Sequence, residues 1–157
     1  MKTIAIDGHN LIPKIPGFRL EDLDDEIKLL GLLSDYCRLS QTRIELFFDG
    51  APPGFRQEIH HGLIHVHHIR LDRKADDAII AFLRSAGKNA RNILVVTSDH
   101  SVQVESKALH ANVMSSEQFS QEIKKVLSSP QAIKEEREKH LTDTEVEEWE
   151  KIFKSKK

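Results

Sequence analysis

Three apolar segments of the chain each end in an aspartate, and an acid in that position can hold a cation. Asp7 follows "KTIAI", Asp49 follows "RIELFF" and Asp99 follows "NILVVTS". A carboxylate at the end of a buried strand is costly unless its charge is bound. Oxygen ligands without cysteine suit a hard divalent cation such as Mg²⁺ or Mn²⁺. Such a cation polarises a phosphate and lowers the pKa of an attacking water, so the pattern predicts hydrolysis of a phosphodiester.

Each of these acids, taken singly, also has an ordinary structural interpretation. Asp99 can cap the helix that follows it. The pair Asp76-Asp77 can complement a helix dipole, and Asp49-Gly50 can form a turn. These interpretations do not explain why all the acids fall at one edge of one sheet, and we therefore favour a shared metal site.

The elements that position the acids alternate between strands and helices. Strand patterns cover residues 2–6, 43–48, 62–69, 92–99 and 112–114, and helical patterns cover 21–38, 75–87, 100–111 and 115–127. The last helix opens with a Ser115-x-x-Gln118 capping box, and the strongly apolar 92–99 is expected at the centre of the sheet. The alternation predicts a three-layer α/β/α domain around a mainly parallel sheet. Ligands of such sheets bind beyond the carboxyl ends of the strands.

The composition changes beyond Pro130, where charges of both signs become dense. We therefore expect one domain over residues 1–128 and a charged extension over 129–157. Within the extension, an amphipathic helix is predicted at about 142–154, with Trp149 and Phe153 on one side. This helix is expected to dock on the domain, on a protein partner or on a second copy of the chain.

The overall composition is that of an ordinary water-soluble domain of 157 residues. The net charge is −2, 39% of the residues are hydrophobic and Cys37 is the only cysteine. These features, with no signal sequence and no apolar run of membrane-spanning length, predict a cytoplasmic location and no membrane contact. The chain has no phosphate-binding P-loop motif, no Gly-x-Gly-x-x-Gly after its first strand and no Gly-x-Ser-x-Gly elbow. His9 also stands where a haloacid-dehalogenase-type phosphatase needs a second aspartate.

Four short motifs, in order, resemble those of a known family. "IDGHNLI", "FDG", "KADDAI" and "VVTSD" are similar to segments of the YacP-like NYN domains in the PIN-like nuclease superfamily. The later "ALHANVMSSEQF" and "TDTEVEEWEKIF" are also similar to the closing segments of bacterial members. The resemblance covers nearly the whole chain and implies a PIN-like, Rossmann-like fold. It also implies a divalent-metal-dependent ribonuclease, an endoribonuclease that cuts RNA with a metal-activated water.

The resemblance also assigns roles to individual residues. The implied catalytic set is Asp7, Asn10, Asp76, Asp77, Ser98 and Asp99. Asp7, Asp77 and Asp99 are the implied metal ligands, with Asp76 assisting directly or through water and Asp49 a further candidate. Some relatives have one more acid where this chain has Gln103. The implied cofactor is therefore one tightly held Mg²⁺ or Mn²⁺, and a second ion would arrive with the substrate.

Basic residues near the acids could carry an RNA strand, because a cluster of carboxylates repels phosphate. The candidates are Lys74, Arg73, Lys14 and Arg56, with Phe18 or Phe55 as stacking faces. The alternative is that these charges are ordinary solvated surface.

The histidine run over residues 60–68 admits two interpretations. His65 and His67 would share one face of a strand, as zinc ligands can. The ordinary alternative is a wet strand face, with contact to nucleic acid as one use of it.

Two further functions remain open beside the ribonuclease. One is a non-catalytic RNA-binding or adaptor module of the same fold, which Gln103 and the near-neutral charge favour. The other is a small-molecule phosphohydrolase that uses the same metal edge.

Overall fold

A computed structural model describes residues 1–17, 23–52, 54–132 and 149–153. Its strands are β1 (Lys2–Asp7), β2 (Thr42–Ala51), β3 (Glu58–His61), β4 (Ile64–Arg70), β5 (Ile93–Val96) and β6 (Asn112–Met114). Its α-helices are α1 (Gly8–Leu11), α2 (Leu23–Ser40), α3 (Ala75–Ala86), α4 (His100–Ala108) and α5 (Ser116–Leu127), with 3₁₀ turns at Ile12–Lys14 and Gly87–Asn92.

The six strands form one sheet in the order β3-β4-β2-β1-β5-β6. Every neighbouring pair is parallel except β3 and β4, which are antiparallel. From β1 the chain builds the sheet first through β2 towards β3, and later through β5 towards β6. The switch point between β1 and β5 is where ligands of open α/β sheets bind.

Helical layers cover both faces of the sheet, as the alternation of strands and helices predicts. One face packs against α2 and α5 in a large core that includes Ile6, Leu30 and Phe119. The opposite face packs against α3 and α4 in a smaller core that includes Val95 and Ile79. Within the described ranges, no helix combines the length and the apolarity needed to cross a membrane. The predicted three-layer α/β fold with a mainly parallel sheet is confirmed.

One prediction about the strands is wrong, and one strand was not predicted. The apolar strand β5 lies between β1 and β6, one place from an edge of the sheet, whereas β1 and β2 occupy the centre. Its four residues are buried because helices cover both faces of the sheet, and this burial does not depend on the position of a strand in the strand order. The short strand β3 was not predicted, because only Ile59 of its four residues is buried and the rest are polar.

Residues 149–153 are helical and contact the domain. Trp149 and Phe153 are buried, and their rings lie against His61 and His68 respectively, with centroids 4.1 and 4.8 Å apart. The amide of Arg56 also donates to the carbonyl of Phe153 at 3.2 Å. The rest of the helix predicted at about 142–154 lies outside the described residues. The boundary between 1–128 and 129–157 stays a prediction.

Gly8 begins α1 directly after the acid Asp7, and it packs against the buried ring of Phe48. A Cβ atom built on Gly8 would lie 2.3 Å from Phe48 Cε1 and 2.5 Å from Phe48 Cδ1. No side chain fits there unless the ring moves. A glycine is therefore required where the chain turns from β1 into α1.

We expect Gly8→Ala to lower the free energy of unfolding by about 1–3 kcal/mol, because it overpacks a filled core. Alanine is the better helix former, so propensity alone predicts the opposite sign. Urea unfolding of Gly8→Ala, Phe48→Leu and the double variant measures the effect. The smaller leucine should relieve the clash, and an equal cost of Gly8→Ala in both backgrounds would contradict this explanation.

Candidate active site

The predicted acids meet at the carboxyl edge of the sheet, around the switch point. Asp7 ends β1 and pairs with Phe47 of β2, while Ile6 pairs with Val96, the last residue of β5. Asp99 follows β5 after two residues, and Asp76 lies in the first turn of α3. The charges of Asp76 and Asp49 raise the pKa of Asp7, and that of Asp99 raises the pKa of Asp76. The structure therefore brings these four acids within electrostatic reach of one another.

Asp7 is the most deeply placed acid of the edge. Its residue is 8% exposed, and its Oδ1 accepts a hydrogen bond from the amide of Asn10 at 3.3 Å, which caps α1. Burial raises the pKa of the Asp7 carboxyl to about 6, and repulsion from Asp76 and Asp49 adds to the shift. An ionised Asp7 is thus unfavourable without a counter-charge, and a hard divalent cation is the chemical species that fits this donor set.

Asp76, and not its neighbour Asp77, lies on the inward side of α3. The buried stripe of this helix includes Ile79, Ile80 and Leu83, and position 76 continues it at helical spacing. Burial raises the pKa of Asp76, followed in size by the charge of Asp99. Asp77 is exposed. The helical spacing of the sequence already places Asp76 on the buried side and Asp77 on the exposed side of α3. The ligand role of Asp77 came only from the family resemblance.

Asp99 is an N-cap as well as a candidate ligand. Its Oδ1 accepts hydrogen bonds from the amides of Ser101 and Val102 at 2.9 and 3.2 Å and from the Ser101 hydroxyl at 2.6 Å. The Ser101 hydroxyl bond is the largest cause that lowers the pKa of Asp99. All three bonds end on Oδ1, so capping α4 does not use Oδ2, and the two interpretations of Asp99 are compatible.

Asn10 joins three segments around the edge through its side-chain oxygen. Asn10 Oδ1 accepts from the amide of Ser98 at 2.8 Å and from the hydroxyl of Ser116 at 2.6 Å. The Ser98 hydroxyl in turn donates to Glu117 at 2.9 Å and accepts from the Ser116 amide at 3.1 Å. Ser98 is therefore engaged in holding the loop after β5. The NH₂ group of Asn10 is not used by these bonds.

Asp49 lies at an irregularity within β2, where the register with β4 shifts between Phe48 and Ala51. Gly50 has φ +70°, so a bulge, and not the turn considered from the sequence, follows the acid. Asp49 accepts from His9 Nδ1 at 2.9 Å, and Glu26 accepts from His9 Nε2 at 3.1 Å.

His9 is the functional neighbour that sequence reasoning missed. Burial alone would lower its pKa, but the hydrogen bonds to Glu26 and Asp49 outweigh burial and raise the pKa to about 9. An imidazolium therefore stands two residues after Asp7 at neutral pH, and its charge lowers the pKa of that carboxyl. No local pattern in the sequence pairs His9 with acids 17 and 40 residues away.

Gln103, in the place of a further acid, holds the backbone of the same loop. Its Nε2 donates to the carbonyl of Thr97 at 2.7 Å, a bond that a carboxylate cannot make. The Thr97 hydroxyl accepts from the amide of Asp99 at 3.1 Å. The amide side chain thus keeps Asp99 in place without adding negative charge.

The predicted basic residues lie on separate parts of the surface. Arg73 and Lys74 are exposed and line one open groove with Asp76, Asp77, Ser101 and Glu105. Lys14 is also exposed but forms an ion pair with Glu117 at 3.2 Å. Arg56 is exposed on the loop before β3. Phe55 packs on the core and on His68, so it is not a free stacking face, and Phe18 lies outside the described residues.

A different group has the tightest metal-ligating geometry. Among the described residues, the only three His, Cys, Asp or Glu side chains with ligand atoms all within 4.8 Å are those of Glu45, His65 and His67. No three described carboxylates of the acid edge meet this spacing, although the side chains of Asp7 and Asp76 are in hydrogen-bond contact. A cation held there would engage some of them through water, as Mg²⁺ commonly does.

A profile of the YacP-like NYN domain matches residues 4–154. The chain belongs to the YacP-like NYN family. This family is part of the PIN-like nuclease superfamily, whose nucleases generally use divalent metals, and the acid edge of the chain agrees with such a site. No curated protein matches the chain.

Solved structures show the same YacP-like NYN fold. One is Rae1 (YacP) from Bacillus subtilis, which is 20% identical with a TM-score of 0.70, over 97% of this chain and 87% of the other. A mutant of Rae1 is 21% identical with a TM-score of 0.67, over 99% and 94% of the two chains. At these identities the likeness concerns the fold.

The raised pKa of Asp7 predicts that neutralising this acid stabilises the metal-free protein. The folded state holds the Asp7 proton more tightly than the unfolded state. The resulting stability is complete below pH 3.8 and is lost as the pH rises through about 6. Asp7→Asn should therefore raise the free energy of unfolding at about pH 7.5 by about 1–3 kcal/mol. Urea unfolding with a chelator present measures it.

Added Mg²⁺ or Mn²⁺ should stabilise the wild-type protein and should have little effect on Asp7→Asn. The exposed Asp35→Asn on α2 is the matched control, and it should keep the full response to metal. Destabilisation by Asp7→Asn in chelator would contradict the electrostatic account of the edge.

The raised pKa of His9 predicts a loss of stability at alkaline pH. The contribution of the imidazolium is complete below about pH 6.5 and is lost as the pH rises through about 9. We expect the imidazolium to contribute about 1–2 kcal/mol to the free energy of unfolding, because the side chain is 26% exposed and solvent screens its ion pairs. Between these pH values, the free energy of unfolding should depend less on pH for His9→Gln than for the wild type and for a His110→Asn control, because asparagine tolerates the positive φ of residue 110. Parallel curves would refute the assignment.

Proposed function

We propose that the protein is a divalent-metal-dependent endoribonuclease that hydrolyses RNA at the acid edge. The meeting of Asp7, Asp76 and Asp99 at the switch point of the sheet carries the proposal, in a chain that belongs to a family of PIN-like nucleases. Several carboxylates that share a partly buried site need a positive counter-charge. The buried lone cysteine fits a reducing compartment, and we place the activity in the cytoplasm.

Asp7, Asp76 and Asp99 are the proposed ligands, with part of the set binding through water, and Asp77 and Asp49 add negative charge around them. A bound Mg²⁺ or Mn²⁺ supplies Lewis-acid activation of water and of the phosphodiester. Asp7 must give up its proton to serve as a ligand. Since its pKa is about 6 without metal, the site is expected to bind metal more weakly as the pH falls below that value.

The remaining residues of the edge position the substrate. Asn10 has its oxygen held by Ser98 and Ser116, which fixes the amide plane and leaves the NH₂ group to donate to a phosphate oxygen. The amide provides this donor without adding a charge that repels phosphate. Ser98 acts through Asn10 and the loop, because its hydroxyl is already bonded to Glu117.

Arg73 and Lys74 are the proposed first contacts of the RNA backbone, since they share a groove with the acid pair at the start of α3. Lys14 and Arg56 lie on other loops and would extend the path of the strand. Phosphate contacts of this kind give sequence-independent, salt-sensitive binding.

A circular single-stranded RNA is the decisive substrate, because only an endonuclease can cut it. We expect cleavage with Mg²⁺ or Mn²⁺ and none with chelator. Asp7→Asn and Asp76→Asn should lower the rate by at least about 100-fold, as loss of even outer-shell support costs metal sites 10–100-fold. The exposed Asp77→Asn should lower it much less, and Asp35→Asn should leave it unchanged.

The same assay separates the alternatives. Cleavage that survives Asp7→Asn would come from a contaminant and would overturn the site. RNA binding without cleavage at any metal concentration would favour the adaptor module, which Gln103 in place of a further acid supports. Turnover of bis-p-nitrophenyl phosphate with indifference to RNA would favour the small-molecule phosphohydrolase.

A further inference from the structure

A second polar cluster lies on the face of the sheet that packs against α3 and α4. Glu45 of β2 pairs directly with His65 of β4, and His65 pairs with His60 of β3. His67 follows on the same face, next to Phe47. This row runs across three neighbouring strands, and none of its members belongs to the acid edge.

Two histidines share one carboxylate oxygen in this cluster. Glu45 Oε1 lies 2.7 Å from His67 Nε2 and 3.0 Å from His65 Nδ1. The three side chains are only 11 to 20% exposed, and the ring of Phe47 stacks on His67 with centroids 4.4 Å apart. An imidazole N–H can donate to a carboxylate at either distance, so both histidines converge on one acceptor atom.

His65 also has a buried ring nitrogen that makes no hydrogen bond. Its Nε2 has no hydrogen-bond partner among the described residues, and the carboxylate of Glu58 lies 3.4 Å away. A buried nitrogen without a partner is costly, and a bound ligand would remove that cost.

We propose that Glu45, His65 and His67 form a binding site for one Zn²⁺ ion, separate from the acid edge. Two imidazole nitrogens and one carboxylate oxygen are a ligand set that Zn²⁺ accepts, with a fourth position for water. Ligand atoms within 4.8 Å of one another need only small side-chain shifts to reach zinc at about 2.0–2.2 Å. Imidazole ligands select against Mg²⁺, which prefers oxygen.

A zinc ion in this place would fasten β4 to β2 within the sheet, because Glu45 belongs to β2 and both histidines belong to β4. The inference does not rest on the proposed ribonuclease, since none of the three ligands is assigned to the acid edge.

Zinc binding by the full chain tests the proposal, measured by competition with a chromophoric chelator. We expect one Zn²⁺ per chain, and an affinity at least about 100-fold weaker in His65→Asn, His67→Asn and Glu45→Gln. The control His110→Asn makes the same change at the far side of the sheet, where asparagine tolerates the positive φ of residue 110. It should bind zinc as the wild type does.

Equal affinities in the wild type and His67→Asn would overturn the site, and so would an equal loss in His110→Asn. X-ray absorption of the zinc-loaded wild type gives a second answer that does not require a variant to fold. Two imidazole nitrogens and one or two oxygens at the metal are expected. A shell of oxygens alone would place the ion at the acid edge and refute the proposal.

Discussion

Repulsion among carboxylates that share one partly buried edge is the constraint on which the surrounding structure depends. Asp7 cannot move away, because it ends the central strand β1 and caps α1. The neighbouring groups all moderate the negative charge. The imidazolium of His9 ties Asp49 and Glu26 together, and the amides of Asn10 and Gln103 fix the loops without adding charge. The bond that Gln103 donates to the Thr97 carbonyl is one that a carboxylate could not make.

Two of the acids, Asp7 and Asp99, are therefore held in place by hydrogen bonds, whereas Asp76 is held less closely. The backbone amides that cap α1 and α4 each bind one oxygen of Asp7 and Asp99, which sets the orientation of the carboxylates before any ligand arrives. Asp76 is less buried and comes from a different helix. A hydrogen-bonded frame of this kind lowers the reorganisation needed when a cation binds.

The sequence alone predicts the layers of the fold and the meeting of the acids, because both follow from periodicity and from the common direction of parallel strands. It does not predict β3, whose polar residues give no strand signal. The inward placement of Asp76 and the exposure of Asp77 follow from the helical stripe through Ile79 and Leu83, which the family resemblance does not take into account. The hydrogen bonds of His9 to Asp49 and Glu26, and the contact between Glu45 and His67, depend on which segments the fold brings together. No local sequence pattern predicts these contacts.

The C-terminal segment 149–153 covers part of the edge of the sheet. β3 is an edge strand of the sheet that the described residues form, and the outer backbone groups of such a strand can pair with another chain. Its polar residues discourage such pairing, and Trp149 covers His61 at the end of the strand. Residues 149–153 thus shield part of an exposed sheet edge from other chains.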